Sequence, residues 1–117
     1  MNAHTNFILS EEIEKATTRY NHKGEPAIPS IDSTLANRGE LYGKFKTHAI
    51  VTQHIKDVMH QSPNWFTKLS ESQRESLEMI AHKIGRILNG DPNYHDSWHD
   101  IVGYAKLVAD ELVGKEV

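Results

Sequence analysis

The stretch Ser70–Gly90, SESQRESLEMIAHKIGRILNG, decides the fold. Ser70 and Gln73 form a capping box, a pairing that satisfies free N–H groups at the start of a helix. Leu77, Ile80, Ala81, Ile84, Ile87 and Leu88 then recur at helical spacing on one narrow face. Gly90 is expected as the left-handed residue behind this helix, and Pro92 blocks its continuation. On the C-terminal side, Asp96 or Ser97 is expected to cap a helix reaching about Val113, with Gly114 behind it. Its expected core face is Trp98, Ile101, Val102, Ala105, Val108, Ala109 and Leu112. On the N-terminal side, Phe45, Ala49, Thr52, Ile55 and Met59 mark a helix over about 45–61, closed by Pro63. Farther out, Ser10 caps an expected helix to about Tyr20, and the breaker-rich NHKGEPAIPS of residues 21–30 reads as a linker. No segment shows the period-2 alternation of a strand. The expectation is all-α: a small bundle of about four helices built on the hairpin around Asn89–Tyr94. Residues 1–33 are expected to form an N-terminal helix and linker arm, and 34–117 the α-helical core domain.

Composition narrows the function. One domain fits the length, and 38% hydrophobic residues with 25% charged ones are ordinary for a soluble globular chain. A net charge of −3 argues against direct nucleic-acid binding, which needs a basic surplus. The absence of cysteine excludes disulfides and thiolate metal sites and agrees with a reducing compartment. No apolar run approaches the roughly 18 residues of a membrane span. The expected location is therefore cytoplasmic, with no membrane partner.

Candidate chemistry gathers around one helix corner. Asp96 and Asp100 lie four residues apart on a single face, continued by Gly103 and Leu107 and flanked by Tyr104. This face lies roughly opposite the expected core stripe and reads as a second contact surface for a ligand, a helix or another subunit. The carboxylates can hold a divalent cation such as Mg²⁺, or can simply cap the helix and pair with neighbouring cations. Glu75 and Glu78 can add oxygen ligands or stand in solvent. Lys83 and Arg86 can neutralise phosphate or make salt bridges. His95 and His99 share the i, i+4 spacing, but without the HExxH pattern, and His95 is expected to precede the helix. In Asn37–Gly43, NRGELYG, Arg38 beside glycines is placed to meet an anion at the start of the following helix, or to stand exposed on a turn. Arg38, Tyr42, Lys83, Arg86 and Tyr104 are the candidate ligand-binding residues, and Glu75, Glu78, Asp96 and Asp100 the candidate metal ligands.

Taken together, NRGELYGKF, LEMIAHKIGRILNGDP and DSWHDIVGYAKL resemble a group of short phage and prophage proteins with the pattern R…YG…KIxRI…DxWxDIxGY. The pattern is also similar to the phage nucleotide-modification-associated domain and, more remotely, to the all-α nucleoside-triphosphate pyrophosphohydrolases of the MazG type. The resemblance covers about residues 37–112. It implies Mg²⁺ held by acidic residues on facing helices, cleavage of a nucleoside triphosphate to monophosphate and pyrophosphate, and a homo-oligomer. By that likeness Glu75 and Glu78 stand for the first acidic motif, and Asp96 and Asp100 for the second. The chain has ESLE where the first motif is EExxE, and i, i+4 spacing where the second is ExxD. The expectation is a phage-type nucleotide-handling protein in a host cytoplasm, Mg²⁺-dependent if catalytic. The alternatives are a non-catalytic binder, which sequesters a nucleotide signal or inhibits a host or defence protein, and a purely structural oligomeric module.

Overall fold

The structure, a computed structural model, describes residues 30–116. The expected helix over 10–20 and the linker at 21–30, except Ser30, lie outside the described residues. Among those described there are five helices and no strand: α1 (Ile31–Tyr42), α2 (Phe45–His60), α3 (Asn64–Thr67), α4 (Glu71–Asn89) and α5 (His95–Leu112). The protein is an all-α bundle, with α4 packed most extensively on α5 and next on α2.

The α4 helix starts as its sequence dictates. Ser70 Oγ accepts from the Gln73 N–H at 3.1 Å, and Gln73 Oε1 accepts from the Ser70 N–H at 2.9 Å. The helix ends at Asn89, but Gly90 is not left-handed, with φ −129° and ψ −140°. Glycine is required there for space: a Cβ would overlap the Leu41 carbonyl oxygen and the Tyr42 backbone. The chain leaves α4 pressed against the end of α1, and the Asp91 N–H donates to Leu41 O at 2.8 Å.

That contact explains a helix the periodicity did not reveal. Residues 31–42 carry Gly39 and bury no side chain, so no amphipathic pattern marks them. The helix is fixed from its ends. Ser30 Oγ accepts from the Ser33 N–H at 3.1 Å, and Asp32 in the first turn suits the helix dipole. Gly43 turns the chain with φ +78°, where an added Cβ would overlap the Asn89 carbonyl. Asn89 Nδ2 donates to Tyr42 O at 2.8 Å and to Lys44 O at 3.0 Å, which ties both sides of this turn to α4. The expected boundary at residue 33/34 falls inside the first turn of α1.

The α2 helix crosses α4 closely. Gly85 faces Thr52 and His48, and a Cβ there would overlap the Thr52 hydroxyl. His48 and Thr52 are buried, whereas Phe45, expected on the inner stripe, is 78% exposed. The short α3 was not anticipated. It carries Trp65, buried in the core and stacked near His60 with ring centroids 4.7 Å apart.

The inner face of α5 differs most from expectation. Tyr104 is 1% exposed and Ser97 3%, and Asp100 and Leu107 are half-buried. Trp98, Val102 and Leu112 are 52%, 64% and 69% exposed, and Ala105 and Ala109 are also exposed. Of the expected core face, only Ile101 and Val108 are half-buried. The face carrying Asp100 is thus packed on α4, and the more apolar stripe points outward. Polar pairing makes this possible: Lys83 Nζ lies 2.7 Å from Asp100 Oδ2, and Ser76 Oγ donates to Tyr104 O at 2.9 Å. Once both partners are satisfied, the desolvation cost that normally keeps such groups outside is offset. Neither Asp96 nor Ser97 caps this helix, which starts at His95 with Tyr94 at the N-cap and no side-chain cap. No helix of the described residues is long and apolar enough to cross a membrane.

Candidate functional site: a basic recess between three helices

The docking of α1 onto α4 builds a recess of about 490 Å³, lined by Leu35, Arg38 and Tyr42 from α1, Gly43 and Lys44 from the turn, Phe45 and His48 from α2, and His82 and Arg86 from α4. Gly39 completes the lining. Among the described residues three permanent cations line it and no carboxylate does, in a chain whose net charge is −3. The Arg86 guanidinium lies over the Tyr42 ring at 4.1 Å, a cation–π contact that fixes its plane while its N–H groups stay in reach of a ligand. Lys44 sits at the N-cap of α2, and among the described residues the helix has no side-chain cap hydrogen bond. The first N–H groups of α2 and the positive end of its dipole therefore face the same region as Lys44, an arrangement suited to anions.

The floor carries a histidine pair. His48 and His82 meet edge to face, with ring centroids 4.7 Å apart. Burial pushes His82 down to about 3, helped by the charges of Arg86, His48, Lys83 and Lys56. Burial also lowers His48, against a backbone hydrogen bond with Gly85 and together with the charges of Arg86 and Lys56. Both rings are neutral at pH 7 and offer one donor and one acceptor nitrogen each. Below about pH 6.5 the unfolded chain takes up a proton that folded His82 refuses until about pH 3. Stability therefore falls as pH drops through that window. We expect His82→Asn to flatten the dependence of unfolding free energy on pH between 6.5 and 3, measured by urea titration at several pH values. An unchanged slope would contradict this environment.

Of the five expected ligand-binding residues, Arg38, Tyr42 and Arg86 come together here. Lys83 and Tyr104 do not. Lys83 is 8% exposed and paired with Asp100, and Tyr104 is buried at the α4–α5 contact. The Tyr104 phenol is pushed up to about 12 by burial and by the Asp100 and Glu75 charges. The expected metal ligands are dispersed. Glu78 Oε1 lies 2.8 Å from His60 Nε2, the Tyr94 hydroxyl donates to Asp96 at 3.0 Å, Asp100 is held by Lys83, and Glu75 is exposed. His95 opens α5, its ring 5.5 Å from that of His99. Among the described residues no three histidine or acidic side chains are grouped to hold a metal ion. The donor set that the likeness to pyrophosphohydrolases suggests for Mg²⁺ does not fit this arrangement.

Sequence reasoning missed Leu35, Lys44, Phe45, His48 and His82. One signal for them was available. His82 stands four residues before the candidate ligand residue Arg86 and so shares its face of α4. The other residues become neighbours only through the docking of α1, which has no local signature. Comparison with protein-family models, curated proteins and solved structures finds no match to this chain.

Proposed function

We propose that the chain is a non-catalytic binder of a phosphate-bearing small molecule of the nucleotide class, and that it takes this ligand in the α1–α2–α4 recess without a metal ion. The observation that carries the reading is the convergence of Arg38, Lys44 and Arg86 on one recess, with no carboxylate of the described residues in its lining. Phosphate satisfies the bidentate geometry of guanidinium and the point charge of lysine at once. A recess of about 490 Å³ lies within the range of small-molecule sites. Leu35 and Phe45, 57% and 78% exposed, offer an apolar rim against which a base or sugar can lie. The neutral His48–His82 pair supplies hydrogen-bonding groups without adding charge. Binding is favoured over metal-dependent hydrolysis because the Asp100 carboxylate is already paired with Lys83 on the far side of α4.

The test is a calorimetric titration with ATP and with inorganic phosphate, in MgCl₂ and in EDTA. We expect binding that survives EDTA and weakens about tenfold to a hundredfold in Arg86→Ala, the effect of losing one charge-assisted contact of about 1.5–3 kcal/mol. Asp96→Ala should bind as the wild type does. Binding that requires Mg²⁺ and fails in Asp96→Ala, or no binding of either probe, would overturn the proposal.

A further inference from the structure

We propose that His95 and His99 form a chelating site for a divalent transition metal ion of the zinc type, clamped across the first turn of α5. From sequence His95 is expected to precede the helix. In the structure α5 starts at His95, so both histidines lie within it, four residues apart on one face. Both side chains are exposed, so an ion can reach them and the rings can turn to meet it.

The rings are spaced as one shared ion requires. Their centroids are 5.5 Å apart and their planes 30° from parallel. An ion held by a ring nitrogen at about 2.0–2.1 Å lies about 3.2 Å from that ring's centroid, so two rings sharing it at a tetrahedral angle have centroids about 5.2 Å apart. The observed spacing lies close to that value. A carboxylate stands beside the pair. Asp96 Oδ1 is 3.8 Å from His95 Nδ1, and its other oxygen accepts from the Tyr94 hydroxyl at 3.0 Å. Metal-bound histidine commonly donates its second ring N–H to such a carboxylate, which fixes the tautomer and leaves the other nitrogen, here Nε2, for the ion. The Asp96 charge also offsets the repulsion between a cation and the positive end of the α5 dipole.

The donor type selects the ion. Neutral imidazole suits Zn²⁺, Ni²⁺ and Cu²⁺, whereas Mg²⁺ takes oxygen ligands. Two nitrogens leave the remaining positions of a tetrahedral ion to water. The ion has a structural consequence as well. Among the described residues α5 has no side-chain cap hydrogen bond, and an ion joining residues 95 and 99 holds that uncapped first turn closed.

The test is a Zn²⁺ titration of the full chain, followed by NMR of the histidine ring protons and by amide hydrogen exchange. His95→Asn and His99→Asn are the variants, and His54→Asn, another exposed histidine, is the control. All three positions are exposed, so the variants should fold, and circular dichroism checks that they do. We expect saturable shifts of His95 and His99 together at one ion per chain, with slower exchange in the first turn of α5. Either variant should weaken binding tenfold or more, and His54→Asn should bind as the wild type does. Histidines acting independently would leave the shifts of His99 unchanged in His95→Asn, and those of His95 unchanged in His99→Asn. That outcome, shifts centred on other histidines, or no saturable shift at millimolar Zn²⁺ would overturn the proposal.

Discussion

Lys83→Ala is expected to lower the unfolding free energy by about 3 kcal/mol, one of the two largest single-residue effects in this fold. Lys83 reaches across the α4–α5 contact to Asp100, and the two side chains are 10% and 16% exposed. Removing the ammonium leaves a carboxylate with little water and no partner, and an orphaned buried charge typically costs about 3–5 kcal/mol. The residual exposure of Asp100 places the effect at the lower end. Removing both charges should be much milder, because apolar groups of similar shape avoid desolvation altogether. Lys83→Met combined with Asp100→Leu should therefore recover most of the loss. Urea denaturation of the two single variants and the double variant decides the matter. A single-variant cost below 1 kcal/mol, or a double variant as unstable as Lys83→Ala, would show that the pair does not hold α5 in place.

Gly90→Ala is expected to destabilise by about 2–4 kcal/mol and to abolish ligand binding. The new methyl group would overlap the backbone of Leu41 and Tyr42. Backbone cannot swing aside as a long side chain can, so the end of α1 must lift, at a cost typical of overpacking. Lifting breaks the Asp91–Leu41 hydrogen bond and both Asn89 side-chain bonds, each worth about 1 kcal/mol. It also carries Arg38 and Tyr42 away from Arg86. Gly39→Ala is the control, since nothing lies within 4 Å of the added group in that helical position. It should be neutral or stabilise by up to about 1 kcal/mol. Amide hydrogen exchange in α1, together with urea denaturation, separates the two glycines, and ATP titration of Gly90→Ala reads the loss of binding. Unchanged protection in α1 of Gly90→Ala would contradict the docking described above.

These effects show where the sequence could be read and where it could not. The helices over 45–60, 71–89 and 95–112 announce themselves through apolar periodicity, and the Ser70–Gln73 capping box appears as spelled. The orientation of the last helix was not legible from the same pattern. Counting apolar bulk assigns Trp98, Val102 and Leu112 to the core. The contact instead buries Ser97, Asp100 and Tyr104; the Tyr104 carbonyl and the Asp100 carboxylate find partners in Ser76 and Lys83, which lie 28 and 17 positions upstream of them. Periodicity within one helix carries no information about such pairing. The first described helix was hidden for the opposite reason. It buries no side chain of its own and is held at its ends by Ser30, Gly43, Asn89 and Gly90. The recess inherits this. Arg38, Tyr42 and Arg86 were recognisable as ligand-type residues from their chemistry, but 40 or more residues separate the two arginines from one another in sequence. Only the glycine-to-backbone contact between α1 and α4 makes them one site.

In the proposed function the basic recess between α1, α2 and α4 receives a phosphate-bearing small molecule. The most direct measurement is a two-dimensional amide NMR titration of the full chain with ATP in EDTA, with shifts followed residue by residue. Saturable shifts are expected at Arg38, Tyr42, Lys44, His48, His82 and Arg86, with Lys83 and Asp100 little changed. Shifts centred on Glu75, Glu78, Asp96 and Asp100 that appear only after Mg²⁺ is added, or no shifts at millimolar ATP, would contradict it.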